Sequence, residues 1–183
     1  KSKWSHVALV LKVEGIDMVC IWEATPNYLD QKDIEGVVRH GVQVMSLTEK
    51  LKCPYYDDVC IVRLDFERTP EILENLGKLR HEMKGRSYEE SQMQLIRAAH
   101  DGGLGLGFNA NDLSSVFCSE LIAEALKSMG ILNSNLPSNA FTPGDLEYGK
   151  LPLKGARARQ PIYLQRDFDG SRWHFRIRVK KAD

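Results

Sequence analysis

Long apolar runs are missing from this sequence of 183 residues. A membrane-spanning helix needs about 18 or more consecutive apolar residues, so we expect no transmembrane segment. No charged stretch followed by an apolar core opens the chain, so we also expect no secretory leader. Hydrophobic residues make up 43% and charged residues 27% of the sequence, which is typical of a folded protein. At this length we expect a single domain over residues 1–183.

Paired cysteine motifs are missing as well. The four cysteines lie at positions 20, 53, 60 and 118, and no two of them have Cys-x-x-Cys spacing. Most structural zinc sites use that spacing, so we expect no metal site, and nothing in the sequence asks for another cofactor. No Asn-x-Ser/Thr acceptor for glycosylation occurs. Free thiols in a reducing compartment are the simplest interpretation, which predicts a cytoplasmic protein.

A net charge of one sign is also lacking, but the zero total hides an asymmetry. Residues 150–183 contain ten Lys and Arg against three Asp, a net charge of +7, and residues 1–149 carry −7. Either the two parts attract each other within one fold, or the basic segment docks on an acidic protein partner. Aromatic residues among these charges could stack on bases, but they fit the buried side of a hairpin better. We therefore find no strong nucleic-acid signal.

The order of apolar and turn residues predicts a mixed fold. Alternating or Val-rich segments predict strands at 4–13, 18–24, 42–46 and 59–66, and an Asp-Gly turn predicts a terminal hairpin of 161–168 with 172–180. Helical spacing predicts helices at 71–84, 88–100 and 118–129. Ser46-Leu47-Thr48-Glu49 resembles a capping box that opens a short helical turn. The expected fold class is α+β, with an antiparallel sheet packed against helices.

A glycine-rich segment at 102–107 leads toward the last of these helices. Gly105 to Ala110 matches G-x-G-x-x-A, but no predicted strand precedes it and no βαβ unit surrounds it. A dinucleotide site needs both features, so we interpret the segment as a mobile loop or lid.

Cys118 is the most informative thiol, because the predicted helix 118–129 begins with it. The first turn of a helix presents free N–H groups and a positive dipole end, which favour the thiolate and could hold an oxyanion. A free cysteine can equally be an inert buried residue. Cys20 and Cys60 lie within apolar strands and suit that second interpretation.

His6 and Glu23 are the natural partners for Cys118. His6 lies early in the first predicted strand, where a rigid backbone would suit a general base. Glu23 lies in the strand expected to pair with it, and its apolar neighbours require a partner for the carboxylate. A hydrogen bond to the imidazole would satisfy the carboxylate and fix the tautomer. The alternative is that both residues simply face water at an edge of the sheet.

Three segments together resemble a known group of enzymes. They are WSHVALVL (4–11), WEAT (22–25) and FCSELIAEAL (117–126). They are similar to the boxes of the circularly permuted papain-like cysteine hydrolases, the YiiX-like branch of the NlpC cell-wall-peptidase superfamily. The lecithin–retinol acyltransferases are relatives of that branch. Weaker similarities extend over most of residues 4–148, and residues 150–183 lie outside them.

The resemblance implies a permuted papain-like fold and a role for each of the three residues. His6 would be the general base, Glu23 would orient it, and Cys118 would be the nucleophile, with histidine before cysteine as the permutation requires. Family members usually have a Gly-Asp-containing strand upstream of the histidine box, and this sequence does not contain it.

The expected function is a thiol hydrolase or acyltransferase acting on a peptide, another amide or a lipid ester. Such an enzyme needs no metal or organic cofactor. A lipid substrate would usually accompany a clear apolar anchor, so amide hydrolysis is favoured. The alternative is a catalytically silent structural module of the same fold, which docks on an acidic partner in a larger assembly through residues 150–183.

Overall fold

Antiparallel strand pairs and helices both occur in the computed structural model, which describes residues 4–27, 29–54, 56, 58–87, 110–133, 135–167 and 173–176. The expected α+β class is confirmed. The strands are β1 (Leu9–Lys12), β2 (Val19–Thr25), β3 (Gly41–Ser46), β4 (Asp58–Ile61), β5 (Leu64–Phe66), β6 (Ala156–Ala158), β7 (Ile162–Arg166) and β8 (Trp173–Arg176). The helices are α1 (Leu47–Leu51), α2 (Pro70–Glu82), α3 (Ala110–Ser128) and a 3-10 turn (Ser138–Ala140).

The first sheet has the order β1-β2-β3, and its central strand has two buried faces. Trp22 and Ala24 point toward the helices and pack with Leu121 and Ala125 of α3. Because successive side chains of a strand point to opposite faces, Glu23 lies on the other face. The antiparallel register pairs Glu23 with Gln43 of β3. The same strand therefore supplies part of the core and a buried carboxylate.

Helix α2 begins and ends close to the predicted positions. Thr69 caps its first turn by accepting a hydrogen bond from the backbone N–H of Ile72, and Pro70 starts the helix. Gly85 follows the last turn with a φ of +68°, which glycine adopts without strain. The capping interaction predicted at Ser46 is also present, since its side chain accepts from the N–H of Glu49.

The segment 59–66 is not the single strand that its Val-rich sequence predicts. It is divided into β4, which pairs with β7, and β5, which pairs with β6. Arg63 lies in the break, where its carbonyl accepts a hydrogen bond from the N–H of Arg159. The two halves pair with different strands, so the residues between them belong to neither strand pair.

The basic segment from residue 150 onward is woven into the fold through β6, β7 and β8. Arg159 forms an ion pair with Asp65, and Arg166 donates to the carbonyl of Cys53 at 2.8 Å. These contacts support the first interpretation of the charge asymmetry, in which the two parts attract each other. The predicted helix 88–100, the glycine-rich segment 102–107 and the Asp-Gly turn lie outside the described residues.

Candidate functional site

His6 lies just before the first sheet rather than within a strand as predicted. The antiparallel ladder begins at the pair Leu9–Trp22, so residues 4–8 lie outside the strand pairing. From Glu23 to Thr25, β2 pairs with β3 and no longer with β1. The His6 ring therefore lies close to the end of β2 that carries Glu23, free of the constraints of the ladder.

Glu23 is the centre of a cluster of polar groups on the face of β2 opposite Trp22 and Ala24. Its Oε2 lies 2.8 Å from Nε2 of His6. Its Oε1 accepts hydrogen bonds from Nζ of Lys50 at 2.6 Å and from Nε2 of Gln43 at 3.2 Å. The side chain of Glu23 has no solvent exposure, and that of Lys50 is 8% exposed. The carboxylate is therefore buried with one ammonium, one imidazole and one amide as partners.

Cys118 completes the cluster from α3. It forms a side-chain hydrogen bond with His6. Because Nε2 of the ring faces Glu23, the nitrogen that remains for the thiol is Nδ1. Cys118 is fully buried, whereas the side chain of His6 is 20% exposed. The structure thus brings together the three residues singled out in the sequence, although their catalytic roles remain predictions.

The position of Cys118 within its helix differs from the expectation. Helix α3 begins at Ala110, so Cys118 lies about two turns inside it and not at its N-terminus. Residues 110–117, which the prediction left outside the helix, belong to it. A backbone N–H at that depth bonds the carbonyl four residues earlier. The free N–H groups expected to stabilise a thiolate and an oxyanion are therefore not those of Cys118, and the positive charge next to the thiol can come from the imidazole of His6.

The electrostatics of the cluster favour charged forms of His6 and Glu23. Burial by itself lowers the pKa of His6, but attraction to and hydrogen bonding with Cys118 and Glu23 outweigh it and raise the pKa to about 9. Burial by itself raises the pKa of Glu23, but the nearby Lys50 ammonium and the hydrogen bond from His6 lower it to about 2. Near neutral pH the imidazole of His6 is therefore protonated next to an ionised carboxylate.

Three further residues of the cluster were missed in the sequence. Gln43 could have been found, because it is the polar residue of β3 that lies opposite Glu23 once the register is known. The sequence gives no sign that Lys50 and Tyr56 belong to the cluster, since only the fold determines the direction of the chain segments that carry them. The Tyr56 ring stacks on His6 with a centroid distance of 6.2 Å and an interplanar angle of 29°. Burial, and then the negative charge of Glu23, raise the pKa of the Tyr56 phenol.

The described chain is therefore an α+β protein with a buried Lys-Glu-His-Cys cluster. Comparisons with protein-family models, curated proteins and solved structures found no match. Over the described ranges, no group of three or more His, Cys, Asp and Glu side chains is placed to hold a metal ion. None of the helices in that part of the chain is both long and apolar enough to cross a bilayer.

Proposed function

We propose that this protein is a thiol hydrolase or acyltransferase that acts on an amide or ester bond through Cys118, His6 and Glu23. The observation that carries the proposal is that one imidazole hydrogen-bonds to both the thiol and the carboxylate. Nucleophilic catalysis by cysteine requires a thiol, a base that takes its proton and a group that orients the base. The three residues meet each of these requirements in turn.

The reaction would proceed in two steps. His6 takes the thiol proton, and the sulfur attacks the carbonyl carbon of the substrate. The bond to the leaving amine or alcohol breaks as the imidazolium donates its proton to that group, which leaves a thioester on Cys118. Water, or an acceptor alcohol or amine, then attacks the thioester while His6 takes its proton, and the carbon–sulfur bond breaks. Glu23 stabilises the imidazolium in both steps.

We further propose the permuted papain-like fold of the YiiX-like branch for this chain. His6 and Glu23 precede Cys118 in sequence, and the helix of Cys118 packs on the strand of Glu23. The first feature agrees with the order that the family requires, and the second brings the candidate nucleophile close to the other two residues. The four cysteines are free, which agrees with a reducing compartment, and we propose a cytoplasmic location.

Labelling with iodoacetamide over a range of pH tests the proposal. We expect wild-type Cys118 to react well below pH ~8.5, the midpoint of an ordinary thiol, and His6→Ala to lose this early reactivity. Cys60→Ser, in β4, is the matched control and leaves the labelling of Cys118 unchanged. Cys118→Ala then abolishes hydrolysis of whichever peptide amide or lipid ester the wild type cleaves. The proposed enzymatic function is contradicted if Cys118 is no more reactive than Cys53 and its labelling follows the pH dependence of an ordinary thiol.

One observation favours the alternative, a catalytically silent module docking on an acidic partner. The sulfur-bearing residue Cys118 has no solvent exposure in this structure. If the thiol resists iodoacetamide in the folded protein and reacts only in urea, the silent module is the better description. Binding of polyglutamate that is lost on charge reversal of Lys154 and Arg157, both exposed, would support the same outcome.

A further inference from the structure

We infer that Lys50 is a positioning residue of the proposed active site, where its ammonium balances the charge of the Glu23 carboxylate and makes the thiolate–imidazolium form of the site electrically neutral. The inference rests on the proposed function, because it assigns a role within the same site. It adds a fourth charged member, contributed by α1, to the three residues on which the proposed mechanism depends.

The contact between Lys50 and Glu23 is short and removed from water. Nζ of Lys50 lies 2.6 Å from Oε1 of Glu23, and both side chains are buried. An isolated buried charge is strongly unfavourable, so each of these groups reduces the cost of burying the other. The ammonium also lies 5.4 Å from the centre of the Tyr56 ring, whose face attracts a cation.

The two oxygens of Glu23 are divided between two tasks. Oε1 accepts from Lys50 and Gln43, and Oε2 faces His6. Lys50 therefore does not compete with the imidazole for the same oxygen. The amide of Gln43 donates through Nε2, while its Oε1 has no hydrogen-bond partner in the described part of the chain. This arrangement holds the carboxylate in one orientation and directs its second oxygen at the base.

The charges of the cluster balance only when Lys50 is included. Glu23, His6 and Cys118 face one another from β2, the segment before β1 and α3, and the nearby loop adds Tyr56 and Cys53. Lys50 and an imidazolium then balance one carboxylate and one thiolate. Without the ammonium, the same thiolate–imidazolium state carries one excess buried negative charge. The site recovers neutrality most simply by keeping the proton on sulfur.

The ultraviolet absorbance of the thiolate tests this inference without requiring access to the sulfur. The signal is the difference between each protein and its Cys118→Ser partner over a range of pH. In Lys50→Met we expect thiolate formation to move to higher pH by about one unit or more, which is about a tenfold loss of thiolate below the midpoint. Lys50→Arg keeps the charge and stays within about twofold of the wild type. Lys52→Met, on the exposed end of the same turn, is the matched control and shows no shift.

A compensating variant separates charge balance from a general effect on folding. Lys50→Met combined with Glu23→Gln removes one charge of each sign, so we expect its thiolate to form at nearly the wild-type pH. This variant also keeps the experiment informative if Lys50→Met alone does not fold. Suppose that the wild type has a thiolate at neutral pH. If Lys50→Met does not shift its formation, or if the double variant does not restore it, the role of Lys50 is overturned and the proposed function still stands. A wild-type Cys118 that ionises like an ordinary thiol overturns the proposed function together with it.

Discussion

At the scale of single residues, Glu23 determines which charges the interior of this protein can hold. Its position in β2 places the carboxylate on the buried face that Trp22 does not occupy. Lys50 and His6 bind different oxygens of that carboxylate, so neither can be removed without leaving a buried charge less well paired.

The first prediction concerns the stability of this ion pair. Glu23→Gln leaves the Lys50 ammonium buried without its carboxylate, so we expect a loss of about 3–5 kcal/mol in the free energy of unfolding. Lys50→Met should have a similar effect. The combination of both substitutions should lose much less than the sum, because no unpaired charge remains. Urea denaturation followed by circular dichroism measures all three, and additive losses would contradict the coupling.

The second prediction concerns the pH dependence of stability. The pKa of His6 is about 9 in the folded protein, above its ordinary value of 6.5. The protonated ring therefore stabilises the folded state fully below pH 6.5, and this contribution is lost as the pH rises through 9. The difference in unfolding free energy between wild type and His6→Asn should accordingly narrow over this range. A difference that stays constant from pH 6.5 to 9 would contradict the raised pKa.

Part of this cluster could be predicted from the sequence, because some residue types indicate a particular chemistry. A thiol, an imidazole and a carboxylate in apolar surroundings, in the order of a family's boxes, were enough to single out Cys118, His6 and Glu23. Lys50 could not be found in this way, because a lysine in a short turn ordinarily faces water. Only the direction in which α1 leaves β3 turns its side chain inward.

At the scale of elements, the sequence predicted the helices and strands whose formation depends on neighbouring residues. Helix α2 and the short helix after Ser46 were predicted close to their observed bounds. The β1–β2 hairpin was predicted too, but β1 begins at Leu9 and not at residue 4. The break at Arg63 was not predicted, because it follows from pairing with strands about a hundred residues later. The start of α3 was placed too late, since its polar first turns resemble a loop in sequence.

The third prediction compares two glycines in different elements. Gly41 begins β3 with a φ of +146°, and a Cβ there would lie 2.2 Å from the carbonyl oxygen of Arg86. Gly41→Ala should therefore strongly lower the melting temperature. Gly77 lies inside α2 with no atom near its missing Cβ, so Gly77→Ala should stabilise the protein by about 0.5–1 kcal/mol. Thermal denaturation measures both, and equal effects would contradict the steric argument.

At the scale of the whole molecule, the basic segment is structural as well as charged. It provides the partners of β4 and β5, and its Arg159 pairs with Asp65. The sequence predicted its hairpin but treated the segment as lying outside the main boxes. The pairing of distant strands shows why composition alone could not assign its place in the fold.

The fourth prediction follows from this interweaving. Truncation after Gly155 removes β6, β7 and β8, so we expect a large loss of thermal stability and not merely the loss of a docking surface. Lys154→Glu combined with Arg157→Glu changes exposed charges without removing a strand and should leave the melting temperature nearly unchanged. A truncated protein that melts like the full chain would contradict the structural role of the segment.

The guanidinium of Arg166 gives this topology a consequence for synthesis on the ribosome. It holds the carbonyls of Leu51 and Cys53, just before Tyr56, whose ring stacks on His6. During translation, His6 emerges before Cys118, and Arg166 emerges after both. The surroundings of the imidazole are therefore complete only after Arg166 has left the exit tunnel, so a nascent chain that ends before this residue does not carry the finished site.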